Sequence, residues 1–121
     1  MRRVRAPRLS VYRWRAPMLA SALHRIMGFL LAWALVGFLA FLQMALGAPE
    51  RFETLVAFLR APWGTAVFWL AAVAALYHWL NGLRFLLLDL GVGEAPGQMR
   101  FSARLVLALA AAGALLIGGL L

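Results

Sequence analysis

The chain has no cysteine and only two histidines. Without thiols it can form no disulfide, hold no thiolate-ligated iron–sulfur cluster and make no Cys-x-x-Cys-His attachment of a c-type haem, so any redox centre must be borrowed or held by histidine. Charge is scarce too. Charged residues are 13% and hydrophobic residues 65% of the sequence, where a soluble domain has roughly 25% charged and about 45–50% apolar residues. The solvent for most of this chain is therefore lipid. With 121 residues, about half of which are needed to cross a bilayer, there is no room for a large soluble catalytic core. An enzymatic role would make the chain one part of a larger assembly.

Acidic residues number four against twelve cations, a net charge of +8. Arg2, Arg3, Arg5, Arg8, Arg13, Arg15 and Arg25 all precede the first long apolar run. Such a basic block beside apolar spans marks a cytoplasmic, lipid-facing end, and no nucleic-acid partner is expected.

Hydrophobic runs divide the chain into a basic N-terminal segment, residues 1–17, and a three-helix membrane anchor, residues 18–121, with spans at about 18–46, 63–88 and 104–121. From Ile26 to Leu46 the first span has about 21 residues, roughly 31 Å at the α-helical rise, matching a hydrocarbon core of about 30 Å. This is longer than the apolar stretch of a signal peptide, which points to an uncleaved anchor. Gly47-Ala48-Pro49 ends that helix. Phe52, Leu55, Val56, Phe58 and Leu59 then recur at near-helical spacing, predicting a short interfacial helix. Asp89, Gly91, Gly93, Glu94, Pro96 and Gly97 read as a loop, and the third span, at about 17 residues, sits at the lower limit for crossing. Arginines flank the N-terminus and the second connector (Arg84, Arg100, Arg104) more densely than the first (Arg51, Arg60), predicting that the N-terminus and second connector are cytoplasmic. The expected fold is all-α, three transmembrane helices running up-down-up within a hetero-oligomeric bundle.

Both histidines fall at membrane depth or its edge, where an ionisable group is costly and suggests function. Ser21, His24, Arg25 and Gly28 are three or four residues apart and share one predicted helix face. That group could bind an anionic propionate or a quinone carbonyl, with Arg25 giving charge and Ser21 a hydrogen bond; the alternative is that Arg25 snorkels to lipid phosphates and His24 caps the interface. His78 lies inside the second span with Gly82 one turn on. A neutral imidazole suits haem iron, and the glycine would leave space for a flat macrocycle; the alternative is an interhelical hydrogen bond, a role open to Asn81 as well. Antiparallel packing would bring His24, Arg25 and His78 into one half of the bundle. His24 is too near the helix head to be an obvious second haem ligand, which implies a partner subunit.

Three stretches carry a family resemblance: Arg8-Leu9-Ser10-Val11-Tyr12-Arg13, Ser21-Ala22-Leu23-His24-Arg25-Ile26-Met27-Gly28, and His78 through Asp89. They resemble the cytochrome b (b556) subunit of succinate dehydrogenase, a membrane anchor of complex II, and the three-span layout extends the likeness over nearly the whole chain. The resemblance implies that His78 is an axial ligand of haem b, that Ser21 and Arg25 bind quinone, that His24 and Arg25 lie near the haem propionates, and that Gly28, Gly82, Arg84 and Asp89 are further motif residues. It also implies partners: a second anchor subunit sharing the haem, an iron–sulfur subunit carrying its clusters, and a flavoprotein carrying FAD, all in a bacterial inner membrane with menaquinone or ubiquinone as substrate. Three departures stand out. Phe85 occupies a position that is often histidine, Met27 replaces threonine or serine, and the first motif lacks its prolines. Two rivals share these features. A fumarate reductase anchor has the same architecture working in reverse, whereas a small transporter or assembly protein would use the intramembrane His and Arg without haem.

Overall fold

The computed structural model describes residues 15–121. The Arg8–Arg13 motif and most of the basic segment lie outside the described residues. Four helices follow in order: α1 (Ala16–Ala45), α2 (Pro49–Arg60), α3 (Pro62–Asp89) and α4 (Pro96–Leu120). Each has a proline in its first two positions. There the missing N–H is no loss and the fixed φ already suits a helix.

The turns between helices follow from local chemistry. A single residue, Ala61, separates α2 from α3, with extended dihedrals of φ −71° and ψ 153°, because the residue before a proline is kept out of the α region. Gly64 makes this sharp corner possible, since a Cβ there would collide with the Phe58 carbonyl. Thr65 Oγ1 donates to the Leu59 carbonyl at 3.2 Å across the same corner. At the end of α3, Gly91 adopts φ +77°. Its N–H reaches the Leu88 carbonyl at 2.9 Å, and the Val92 N–H reaches that of Leu87 at 2.9 Å. This paired closure needs a left-handed residue that glycine supplies without strain.

Helices α1, α3 and α4 are long and apolar enough to cross a membrane. The first and second begin and end within two residues of the expected spans. The third differs: α4 starts at Pro96, eight residues before the expected boundary at about 104. Pro96 and Gly97 read as loop residues, but a proline in the first turn starts a helix, and the turn is carried by Gly91 and Gly93, both at positive φ. With 25 residues, about 38 Å at the α-helical rise, α4 is longer than a hydrocarbon core of about 30 Å requires. A short helix, α2, stands where the near-helical spacing predicted one, and it contributes no buried residue.

In the bundle α3 packs against both α1 and α4, and α1 also touches α4. The seams are built from small residues, with Ala20, Ala74, Ala103 and Ala110 buried. Gly113 receives the Leu76 side chain, and Gly118 lies under the Trp69 indole, whose Nε1 donates to the Ala114 carbonyl at 2.9 Å. Small residues are how helices approach in lipid, where packing and interhelical hydrogen bonds replace the hydrophobic drive. Tyr77, Val106 and Ala110 form the small core, joined by Leu23, Met27, Leu80 and Leu107. Phe29, Trp33, Val36, Phe41, Leu115 and Leu116 lie exposed on the outside, as suits a surface facing lipid or other membrane helices.

Candidate functional site

The two histidines meet where α1 crosses α3. Their rings stack face to face, 4.0 Å between centroids and 6° from parallel. The antiparallel course of the two helices puts His24, early in α1, beside His78, late in α3. Small residues allow the approach. A Cβ on Gly28 would stand 2.8 Å from Cε1 of His78, closer than a methyl group can sit, whereas one on Gly82 would stand 3.7 Å from Cε1 of His24, an ordinary contact. The space beside Gly82 is thus taken by the His24 imidazole. Phe85 packs against His24 in a T-shaped arrangement, 5.1 Å between centroids and 80° between planes.

Nδ1 of His78 lies 3.2 Å from the backbone carbonyl of His24. A carbonyl oxygen can only accept, so Nδ1 is the donor in this contact, and in a neutral imidazole that tautomer places the lone pair on Nε2. Nε2 is also the ring nitrogen farther from Gly28. Nδ1 of His24 is buried and has no hydrogen-bond partner among the described residues. The stack limits what the pair can do together. Each lone pair lies in the plane of its own ring, so in parallel rings the two cannot converge on one metal from opposite sides.

A polar stripe runs beside the histidines on the inner face of α3, formed by Tyr77, Asn81 and Arg84, all buried. Tyr77 Oη donates to the Ala20 carbonyl at 2.7 Å, and Asn81 Nδ2 donates to the same oxygen at 3.2 Å. This gives Asn81 the interhelical role that its place in the span suggested. Arg84 Nε donates to Ser102 Oγ at 2.9 Å, and its Nη2 to the Met99 carbonyl at 3.3 Å. Its guanidinium carbon lies 5.6 Å from the centroid of the Phe85 ring. Arg84 therefore ties the end of α3 to the first turns of α4 instead of pointing into the headgroups.

The other candidate residues are placed less centrally. Ser21 is half-buried next to Ala20, while Arg25 is exposed. The single predicted face of Ser21, His24, Arg25 and Gly28 is thus divided. The inner seam of α1 runs through Ala20, Leu23, His24, Met27 and Gly28, and Arg25, one residue or about 100° past His24, falls outside it. Asp89 is exposed at the end of α3. Tyr77 and Ser102 were missed by sequence reasoning. Tyr77 could have been found, since it stands four and seven residues before Asn81 and Arg84 on one face; Ser102 could not, being placed by the early start of α4.

The profile described as succinate dehydrogenase/fumarate reductase transmembrane subunit matches residues 1–117. The chain is 38% identical over 97% of its length to the mitochondrial succinate dehydrogenase cytochrome b560 subunit of Caenorhabditis briggsae, covering 65% of that protein. The proteins of the same description from Mus musculus and Bos taurus are 36% and 35% identical over 87% and 86% of the chain, each covered to 63%. The chain thus spans a little under two thirds of the length of the curated relatives it matches. Three helices long and apolar enough to cross a membrane, a stacked histidine pair between two of them and this match over nearly the whole chain agree, and the chain belongs to the succinate dehydrogenase/fumarate reductase transmembrane subunit family.

Proposed function

We propose that this chain is a membrane-anchor subunit of succinate:quinone oxidoreductase that holds a b-type haem together with a second anchor subunit and forms part of the quinone-reduction site. The observation carrying this reading is the state of His78. Its Nδ1–H is engaged by the His24 carbonyl, leaving Nε2 free to ligate, and a backbone acceptor behind a ligating imidazole is the usual way to fix its tautomer and raise its basicity. The residues present therefore fit a haem. His78 would be one axial ligand, and the buried, unpartnered Nδ1 of His24 would be available to a propionate or a water. When bound, the haem would supply a one-electron centre beside the quinone site. The parallel stack argues against His24 as a second ligand, and a second ligand would come from the partner anchor.

Ser21 and Arg25, one turn apart at the cytoplasmic head of α1, are proposed to hold the quinone. Arg25 is exposed and would give a charge-assisted hydrogen bond to a carbonyl oxygen that gains negative charge on reduction. Ser21 would give a neutral one. Electrons would come from an iron–sulfur subunit docked on this side, fed by a flavoprotein that oxidises succinate. The arginine bias supports a cytoplasmic position for this end, which in our reading lies in a bacterial inner membrane. The same anchor would serve fumarate reduction; direction follows from the quinone potential and the partner flavoprotein.

The test is the reduced-minus-oxidised absorption spectrum of the purified complex. A b-type signal is expected in the wild type and its loss or conversion in His78→Ala. A complex with no haem signal, or a low-spin signal unchanged in His78→Ala, overturns the assignment.

A further inference from the structure

We infer that His24 is a positioning residue for the His78 imidazole: its backbone carbonyl selects the ring's tautomer, and its own ring, with Gly28 opposite, fixes the plane in which that imidazole presents Nε2. This rests on the reading of His78 as an axial haem ligand and gives His24 a task separate from any contact with a propionate.

An imidazole on a helix has a broad, roughly two-fold torsion about its Cβ–Cγ bond, so a ligating histidine without neighbours could meet the iron in many planes. His78 is held at three points. Its Nδ1–H is directed at the His24 carbonyl, 3.2 Å away. One face lies on the His24 ring, 4.0 Å between centroids and 6° from parallel. Its Cε1 edge lies against the Cα of Gly28, where a Cβ would come within 2.8 Å. The second ring is itself held, because Phe85 stands edge-on to it at 5.1 Å. Turning the His78 ring out of plane would break the hydrogen bond and the stack together. The three groups that fix it, the His24 carbonyl, the His24 ring and Gly28, all come from one turn of α1, so the plane of the ligand is set by the α1–α3 contact.

In a ferric haem with two imidazole ligands the spread of the g values reports the angle between the two ring planes, which makes electron paramagnetic resonance of the purified complex the test. His24→Phe keeps a flat ring and the carbonyl, and its largest g value should stay at the wild-type position. His24→Ala keeps the carbonyl but frees the ring face, and the same feature should shift or broaden. Gly28→Ala, which displaces the ring edge, should shift it as well. If His24 served only through its ring nitrogens, Phe and Ala would behave alike, and that result overturns the inference, as do wild-type g values in both His24→Ala and Gly28→Ala. His78→Ala separates the two readings: a low-spin signal surviving in that variant defeats the haem assignment itself. A high-resolution structure of the assembled wild-type complex decides the matter even if the variants fail to assemble. Parallel rings with His78 Nδ1 on the His24 carbonyl are expected, and separated rings or a different acceptor on Nδ1 overturn the inference.

Discussion

Gly28 and His78 face each other across the α1–α3 seam with no room for a methyl group between them, a Cβ at position 28 falling 2.8 Å from Cε1 of the ring. Within a helix Gly→Ala ordinarily gains up to about 1 kcal/mol from backbone entropy. Here that gain is opposed by moving either the imidazole or the whole of α1. Gly37 lies on the same helix with nothing within 4 Å of the corresponding point. Gly37→Ala is therefore expected to leave the complex as stable as the wild type or slightly more so, while Gly28→Ala lowers both its melting temperature and its haem content. Thermal unfolding and haem-to-protein ratios of the two variants check this. Equal behaviour of the pair would show that the seam yields to a methyl group.

At the proposed quinone site the two side chains should differ in weight. Arg25→Leu removes a charged donor and is expected to cut quinone reduction at least tenfold, since a charge-assisted bond is worth about 1.5–3 kcal/mol and 1.4 kcal/mol is a factor of ten. Succinate oxidation by a soluble dye, which bypasses the anchors, should persist. Ser21→Ala deletes a neutral bond of about 0.5–1.5 kcal/mol and should be milder. Steady-state rates with both acceptors decide it, and undiminished quinone reduction in Arg25→Leu would remove that residue from the site.

How far the sequence can be read is seen in individual residues. That His24 and His78 share one half of the bundle was legible, because the depth of each in its span and the antiparallel course of the helices are matters of counting. The ring stack was not, since it depends on Gly28 being the residue opposite His78, and pairing across a seam is fixed by three-dimensional packing. Arg25 looked like part of one polar face because four residues at three- and four-residue spacing span a wide arc; only the position of α3 decides which edge of the arc is inside. Arg84 read as the cation closing a span. Its burial requires the Ser102 hydroxyl and Met99 carbonyl on α4, both in residues assigned to a loop or its margin, where Pro96 starts a helix instead of breaking one.

Orientation can be tested without disturbing the bundle, because the chain has no cysteine of its own. Ser10→Cys, in the basic segment, should be labelled by a membrane-impermeant thiol reagent only from the cytoplasmic side. Glu53→Cys, on the exposed surface of α2, should be labelled only from outside. Intact cells and inverted membrane vesicles give the two accesses. Reversed labelling at both positions would show that the arginine-rich end faces outward, against the positive-inside bias.

Arg84 and Ser102 join α3 to α4 through a bond from a buried guanidinium to a hydroxyl at 2.9 Å, with the Ser102 hydroxyl also 3.2 Å from the Met99 carbonyl that accepts from Arg84. Removing the hydroxyl should cost more than removing the arginine with it. Ser102→Ala leaves Nε of a buried cation without its acceptor, a penalty of about 1–3 kcal/mol. Arg84→Met deletes the charge along with its desolvation cost and fills the space with an apolar side chain, a change that is often close to neutral for a buried charge. In the double variant Ser102→Ala/Arg84→Met no cation is left unpaired, so it should unfold at a higher temperature than Ser102→Ala alone. A double-mutant cycle on the melting transition of the detergent-purified complex measures this coupling. Strictly additive effects would mean that the bond contributes nothing to holding α4 against α3.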